Sequence, residues 1–127
     1  MSAVAPAIAR IRGRRTFRDL ARPSGRATSG PVRVAFTAGG APAAPRVGYA
    51  VSRRHGGAVR RNRLRRRLRE AVSQAVREAG GAVVPGAYLV RAEPEAVALP
   101  YAELVRRLGE AMRAACGPPP LARRARS

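Results

Sequence analysis

Residues 56–70 carry seven arginines, Arg60, Arg61, Arg63, Arg65, Arg66, Arg67 and Arg69, against one acid, Glu70. A run so charged can fold only if its few apolar residues share one side, and here they do. At about 100° per residue, Leu64, Leu68, Ala71, Val72, Ala75 and Ala79 fall within an arc of about 100°, the width of a core-facing stripe. Asn62, Arg66, Arg69, Glu70 and Ser73 fall opposite, with Arg63 and Arg65 on the flanks. The spacing predicts one helix over residues 58–79, stopped by Gly80-Gly81. That helix is electrostatically costly by itself. Like charges at i, i+4 repel, and cations near the N-terminus oppose the helix dipole. A bound polyanion would remove the cost, and freed amides at the helix start would also face an anion. The plain alternative is a solvated arginine-rich face.

The charge of the whole chain favours the polyanion. Its 127 residues hold 26 basic side chains, all arginine, against 7 acidic ones, for a formal net charge of +19. A nucleic-acid backbone is the partner best suited to that density, because each neutralised phosphate releases counterions. An anionic membrane surface, or DNA packaging through charge alone, comes after it. No apolar run approaches the roughly 18 residues of a membrane span. The missing lysines follow from a composition rich in Ala, Gly, Pro and Arg. They also suit the guanidinium fork, which grips phosphate in a bidentate way.

Protein-borne catalysis finds little material. Cys116 is the single cysteine and His55 the single histidine, so neither a cysteine-built zinc site nor a Ser-His-Asp arrangement is supported. His55 reads as a turn residue and Cys116 as a small helix residue. The first 15 residues place arginine after their mildly apolar stretch, the wrong order for a secretory signal. The expectation is a cytoplasmic protein.

Three units are expected: a flexible basic segment over 1–14, a folded domain over 15–117 and a disordered basic tail over 118–127. A short helix is predicted over 15–20, with Phe17 and Leu20 one turn apart. Pro23, Ser24 and Gly25 stop it. Residues 32–37 alternate, with Val32, Val34 and Phe36 on one side, and residues 46–52 alternate through Val47, Tyr49 and Val51. Both read as half-buried strands, expected to pair antiparallel across the Gly/Pro loop 38–45. Residues 87–92 read as a third strand. The last helix, 101–116, has a stripe of Leu104, Leu108, Ala111, Met112 and Ala115. The order is α+β with a small sheet.

The stretch RVGYAVSRRHGGAVRRNRLRRRLREAV resembles the signature of the bacterial ribonuclease P protein family. That family carries a strand ending V-S-K-K, a glycine turn, then A-V-x-R-N-R-x-K-R-x-x-R-E on a helix. Val51, Ser52, Arg53 and Arg54 match the first part, with arginine for lysine. Ala58, Val59, Arg61, Asn62, Arg63, Arg65, Arg66, Arg69 and Glu70 match the second. So many positions at fixed spacing make the match specific, and it extends more weakly over about residues 10–116, the span of a single domain. The chain departs from the family pattern in two places. Ala21 and Arg22 stand where a second aromatic is usual, and Ala92 and Glu93, not a basic pair, precede Pro94.

The resemblance implies a single α+β domain of helix, strands, basic helix, strand and helix, possessing an unusual left-handed crossover through the basic helix. It implies a subunit of an endoribonuclease that removes the 5′ leader of precursor transfer RNA. Catalysis would belong to a large RNA partner with bound Mg2+, and no catalytic centre, membrane partner or small-molecule cofactor is expected on the protein. Arg60, Arg61, Asn62, Arg63, Arg65, Arg66 and Arg69 would hold the catalytic RNA. Phe17, Phe36, Arg53 and Arg54 would hold the leader, the two rings stacking on unpaired bases. Read from the residues alone, Phe17 and Phe36 serve equally as core. The alternative function is a ribosomal or other structural RNA-binding protein of similar fold.

Overall fold

The structure, a computed structural model, describes residues 9–10, 23–38 and 45–117. The helix expected over 15–20, Phe17 within it, the tail 118–127, and most of the segment 1–14 and of the loop 38–45 lie outside the described residues. Five strands form one sheet: β1 (Ala9–Arg10), β2 (Gly25–Ser29), β3 (Val32–Thr37), β4 (Pro45–Ala50) and β5 (Gly86–Ala92). Their spatial order is β1-β4-β5-β3-β2. Two helices, α1 (Ala58–Ala79) and α2 (Tyr101–Cys116), and two 3-10 turns at Arg53–His55 and Pro94–Ala98 complete the chain.

The sheet differs from the sequence expectation in two ways. Residues 25–29, to which the sequence assigns no element, are a strand, and β2 pairs antiparallel with β3 through a two-residue connection, Gly30-Pro31. Gly30 takes φ 59° there, the left-handed geometry a tight hairpin needs. The segment escapes a hydrophobicity reading because its inward residues are only Ala27 and Ser29. Secondly, β3 and β4 are not hydrogen-bonded neighbours. β5 lies between them, antiparallel to β3 and parallel to β4. Parallel neighbours need a long crossover, and α1 is that crossover, leading from β4 to β5. Within the segment expected to be flexible, Ala9–Arg10 pairs in parallel with Arg46 and Val47 of β4.

Alternation sorts each strand onto two faces. Val32, Val34 and Phe36 of β3, Val47 of β4, and Tyr88 and Val90 of β5 join one core with both helices. α1 contributes Leu64, Leu68, Ala71, Val72, Ala75 and Val76, and α2 contributes Leu104, Val105, Leu108, Ala111, Met112 and Ala115. The predicted stripes are therefore the buried ones, with Val76 added and Ala79 at the margin. β2 comes very close to α2: a β-carbon on Gly25 would stand 2.0 Å from the Ala115 carbonyl oxygen. Gly86 is equally constrained, since it has φ 151° and a β-carbon there would meet Phe36 Cε1 at 2.4 Å.

Candidate nucleic-acid interface

α1 begins at Gly57, whose N-cap position supplies no side-chain hydrogen bond, and no acid stands in the first turn. The first-turn amides are thus left to solvent or to an anion. Because the apolar stripe faces the sheet and α2, every other position of α1 is forced outward. Arg60, Asn62, Arg63, Arg66 and Arg69 are exposed, and Arg61 and Arg65 are half-buried. Arg65 Nη1 donates to Asn62 Oδ1 at 2.9 Å, which ties the asparagine to the arginine row.

Acid placement makes the row unusual. Among the described residues, the ion pairs join Glu93 to Arg33 and Arg54, Glu103 to Arg106 and Arg107, and Glu110 to Arg106. None reaches an arginine of α1. In α2 the hydrogen bonds from Arg106 and Arg107 lower the carboxyl of Glu103 below its ordinary value. Ser29, which donates to Glu110 Oε1 at 2.8 Å, does the same for Glu110, helped by Arg106. So the acids of α2 pair with its own arginines, while α1 stays cationic. That contrast within one small domain is what a built polyanion surface requires.

Arg67 is the exception on α1, and no local pattern marks it. Its Nη1 donates to the Ala96 carbonyl at 3.3 Å and its Nη2 to the Leu99 carbonyl. It braces the 94–98 turn to the helix. His55 is also more than a turn residue. It is 8% exposed, and its Nε2 donates to the Ala92 carbonyl at 2.8 Å, fastening the 53–55 turn to the end of β5.

The leader-binding expectations separate. Arg53 and Arg54 are exposed at the end of β4, on a turn capped by Ser52 Oγ, which accepts from the Arg54 amide at 3.3 Å. Phe36 is corrected: it is 6% exposed, with its ring centroid 4.9 Å from that of Tyr88, and belongs to the core. A ring so placed offers no free face to a base. Phe17 lies outside the described residues. Tyr49, expected as core, packs against the core while half-buried, and burial pushes its phenol up to about 12 against the opposing charge of Arg69.

The sheet face turned away from the helices carries a group that the sequence reading did not assemble. Arg33 and Arg91 stand directly opposite in the β3–β5 register, a like-charge pair that costs stability and that, among the described residues, Glu93 offsets on the Arg33 side only, at 3.6 Å. Together with Arg26 and Thr28 they rim a cleft of about 440 Å³ floored by Ala35 and Leu89. Outward positions at Arg33 and Arg91 are legible from alternation, but their pairing needs the strand order. Arg91 also lines a second cleft with Tyr49, Ser52, Arg54 and Arg65. Arg54 in turn lines a third with Arg60 and Arg63. The three clefts share Arg91 and Arg54 in turn, so a basic path runs from this sheet face, past the 53–55 turn, to the start of α1. Among the described residues, no three His, Cys, Asp or Glu side chains gather where a metal ion could be held, and no helix is long and apolar enough to cross a membrane.

Comparison with known proteins agrees with this architecture. The family model described as Ribonuclease P matches residues 6–116. The ribonuclease P protein component of Micrococcus luteus is 37% identical over 117 residues, covering 82% of this chain and 88% of that protein. That of Thermobifida fusca is 45% identical over 80 residues, covering 62% of this chain and 52% of its own length. The chain spans about half the length of the first curated relatives it matches. The solved ribonuclease P protein of Thermotoga maritima superposes with a TM-score of 0.68 at 25% identity, over 85% of this chain and 98% of that one. With the motif on α1, the superposition on a solved ribonuclease P protein and a family match over nearly all the described residues, the chain belongs to the ribonuclease P protein family.

Proposed function

We propose that this chain is the protein subunit of a ribonuclease P, acting in the cytoplasm, that binds the catalytic RNA and the 5′ leader of precursor transfer RNA. The observation that carries the reading is the arginine row of α1, in a chain of this family: among the described residues no ion pair reaches it, and Glu70 is the one acid within residues 56–70. Arg60, Arg61, Arg63, Arg65, Arg66 and Arg69 bind phosphates and orient the subunit, and Asn62, held by Arg65, supplies directed hydrogen bonds. The sheet face opposite the helices, through Arg26, Arg33 and Arg91, with Arg54 at its edge, takes the single-stranded leader, so the basic path joins the two RNAs across one protein surface. The protein thereby screens repulsion between catalytic RNA and substrate. In this reading the Mg2+ that the reaction uses is held by the RNA partner.

The test is reconstitution with a bacterial ribonuclease P RNA at low magnesium, following release of the 5′ leader. Stimulated cleavage is expected. RNA binding without stimulation would overturn the reading and leave a structural RNA-binding protein of the same fold.

A further inference from the structure

The third cleft described above lies between α1 and the 94–98 turn and has about 640 Å³ of space. That falls within the roughly 300–1,000 Å³ typical of small-ligand sites. Its walls are of two kinds. Leu64, Pro94 and Val97 form an apolar side, and Val97 is left 59% exposed. Arg54, Arg60 and Arg63 form a cationic rim, while Arg67, also on the wall, is committed to backbone carbonyls. An apolar side beside a guanidinium rim suits a ligand that is flat and apolar at one end and anionic at the other.

His55 supplies a third, independent feature. It lines this cleft, it is 8% exposed, and its Nδ1 is buried without a hydrogen-bond partner. Its state follows from its other nitrogen. Nε2 faces the Ala92 carbonyl, an acceptor, so Nε2 must carry the hydrogen. In the neutral ring Nδ1 is then a bare acceptor. A buried acceptor left unmatched is costly, and what it lacks is an N–H or O–H donor. Arg60 borders the same turn, its Cδ 2.9 Å from where a β-carbon on Gly56 would stand, and it lines the cleft together with His55.

The geometry points to a subsite for one unstacked ribonucleotide of the bound RNA, resting on the RNA-binding reading given above. Its base lies over Leu64, Pro94 and Val97, its phosphate sits among Arg54, Arg60 and Arg63, and its donor group reaches His55 Nδ1. That donor is either the ribose 2′-hydroxyl or a base amino group. Exposed bases of this kind are how proteins read RNA.

The single histidine makes the test clean, because the imidazole nitrogen resonances of the full chain report His55 alone. The free chain is titrated with 5′-AMP, 2′-deoxy-5′-AMP, inorganic phosphate and a short polyglutamate peptide. AMP is expected to shift the Nδ1 resonance while Nε2 stays protonated. A shift by AMP well above that by deoxy-AMP assigns the donor to the 2′-hydroxyl; equal shifts assign it to the base. Both uphold the subsite. Equal shifts by inorganic phosphate, or by the peptide, reduce the cleft to a plain anion or acidic-protein site and overturn the proposal, as does silence with both nucleotides. In the complex with catalytic RNA, Val97→Ser is expected to weaken binding about fivefold, from lost apolar cover, without altering its salt dependence. Val97 is largely exposed, so the variant keeps the fold. Undiminished RNA affinity in that variant also overturns the subsite. Failure of the wild-type chain to bind RNA would instead overturn the function proposed above, and the AMP titration separates the two.

Discussion

Arg66 and Arg67 are adjacent, identical in sequence terms, and opposite in role. Arg66 is exposed, with no ion pair among the described residues, whereas Arg67 is half-buried and donates to the carbonyls of Ala96 and Leu99. Arg67→Met keeps the apolar stem and removes two charge-assisted hydrogen bonds. Such bonds contribute about 1.5–3 kcal/mol each at full burial. The site is partly exposed and water can replace the donor, so a loss of about 2 kcal/mol in all is the working figure. For a domain of this size that lowers the melting temperature by about 8–15 °C. Arg66→Ala should leave melting within about 0.5 kcal/mol of wild type, as surface substitutions do. RNA binding reverses the order. A log–log plot of affinity against salt should flatten by about 0.7–0.9 for Arg66→Ala if one phosphate contact is lost, and stay unchanged for Arg67→Met. Thermal melts by circular dichroism and filter binding across a salt series measure both. Equal melting losses in the two variants, or a flattened slope in Arg67→Met, would refute the division of labour.

Phe36→Ala should cost about 3–5 kcal/mol, the penalty of an emptied aromatic site in a core, read by urea denaturation. A folded variant defective only in leader binding would contradict the core placement. Gly25→Ala must push β2 away from the Ala115 carbonyl, and should destabilise the domain while conservative changes at exposed Thr28 do not. Alkaline titration should reveal a stability loss starting near pH 10. The raised Tyr49 phenol, and Tyr88 raised further by burial, bind their protons more tightly when folded. Their contribution is complete below the ordinary tyrosine value and declines as pH rises toward about 12. Tyr49→Phe should blunt that decline in melts run from pH 9 to 12.

Helices were legible because their apolar stripes are long and periodic. Leu64 through Ala75 and Leu104 through Ala115 are buried where alternation at helical spacing puts them. Strand existence was legible at Val32–Thr37 and over 87–92 for the same reason at period two. Strand neighbours were not. Nothing local says that β5 enters between β3 and β4, and the natural guess for two consecutive strands is a pair. β2 was missed because Ala27 and Ser29 are too small and polar to announce a buried face. The arginine row was visible as composition, and its exposure follows from the stripe beneath it. The split between Arg66 and Arg67, the burial of His55 and the facing of Arg33 by Arg91 depend on residues about 30 to 60 positions away, beyond the reach of any local pattern.

The central strand of the sheet is among the last to be made. During synthesis the first 85 residues emerge without β5, so β3 and β4 have no common neighbour to hydrogen-bond, and α1 has neither its second strand nor α2 to lie against. Contacts this distant along the chain delay folding until the segment that closes them is present. A nascent chain of this protein is therefore a strongly cationic polypeptide whose sheet stays in two unjoined pairs until Ala92 clears the ribosome, itself an RNA surface. The arrival of one seven-residue strand then joins the two halves of the sheet.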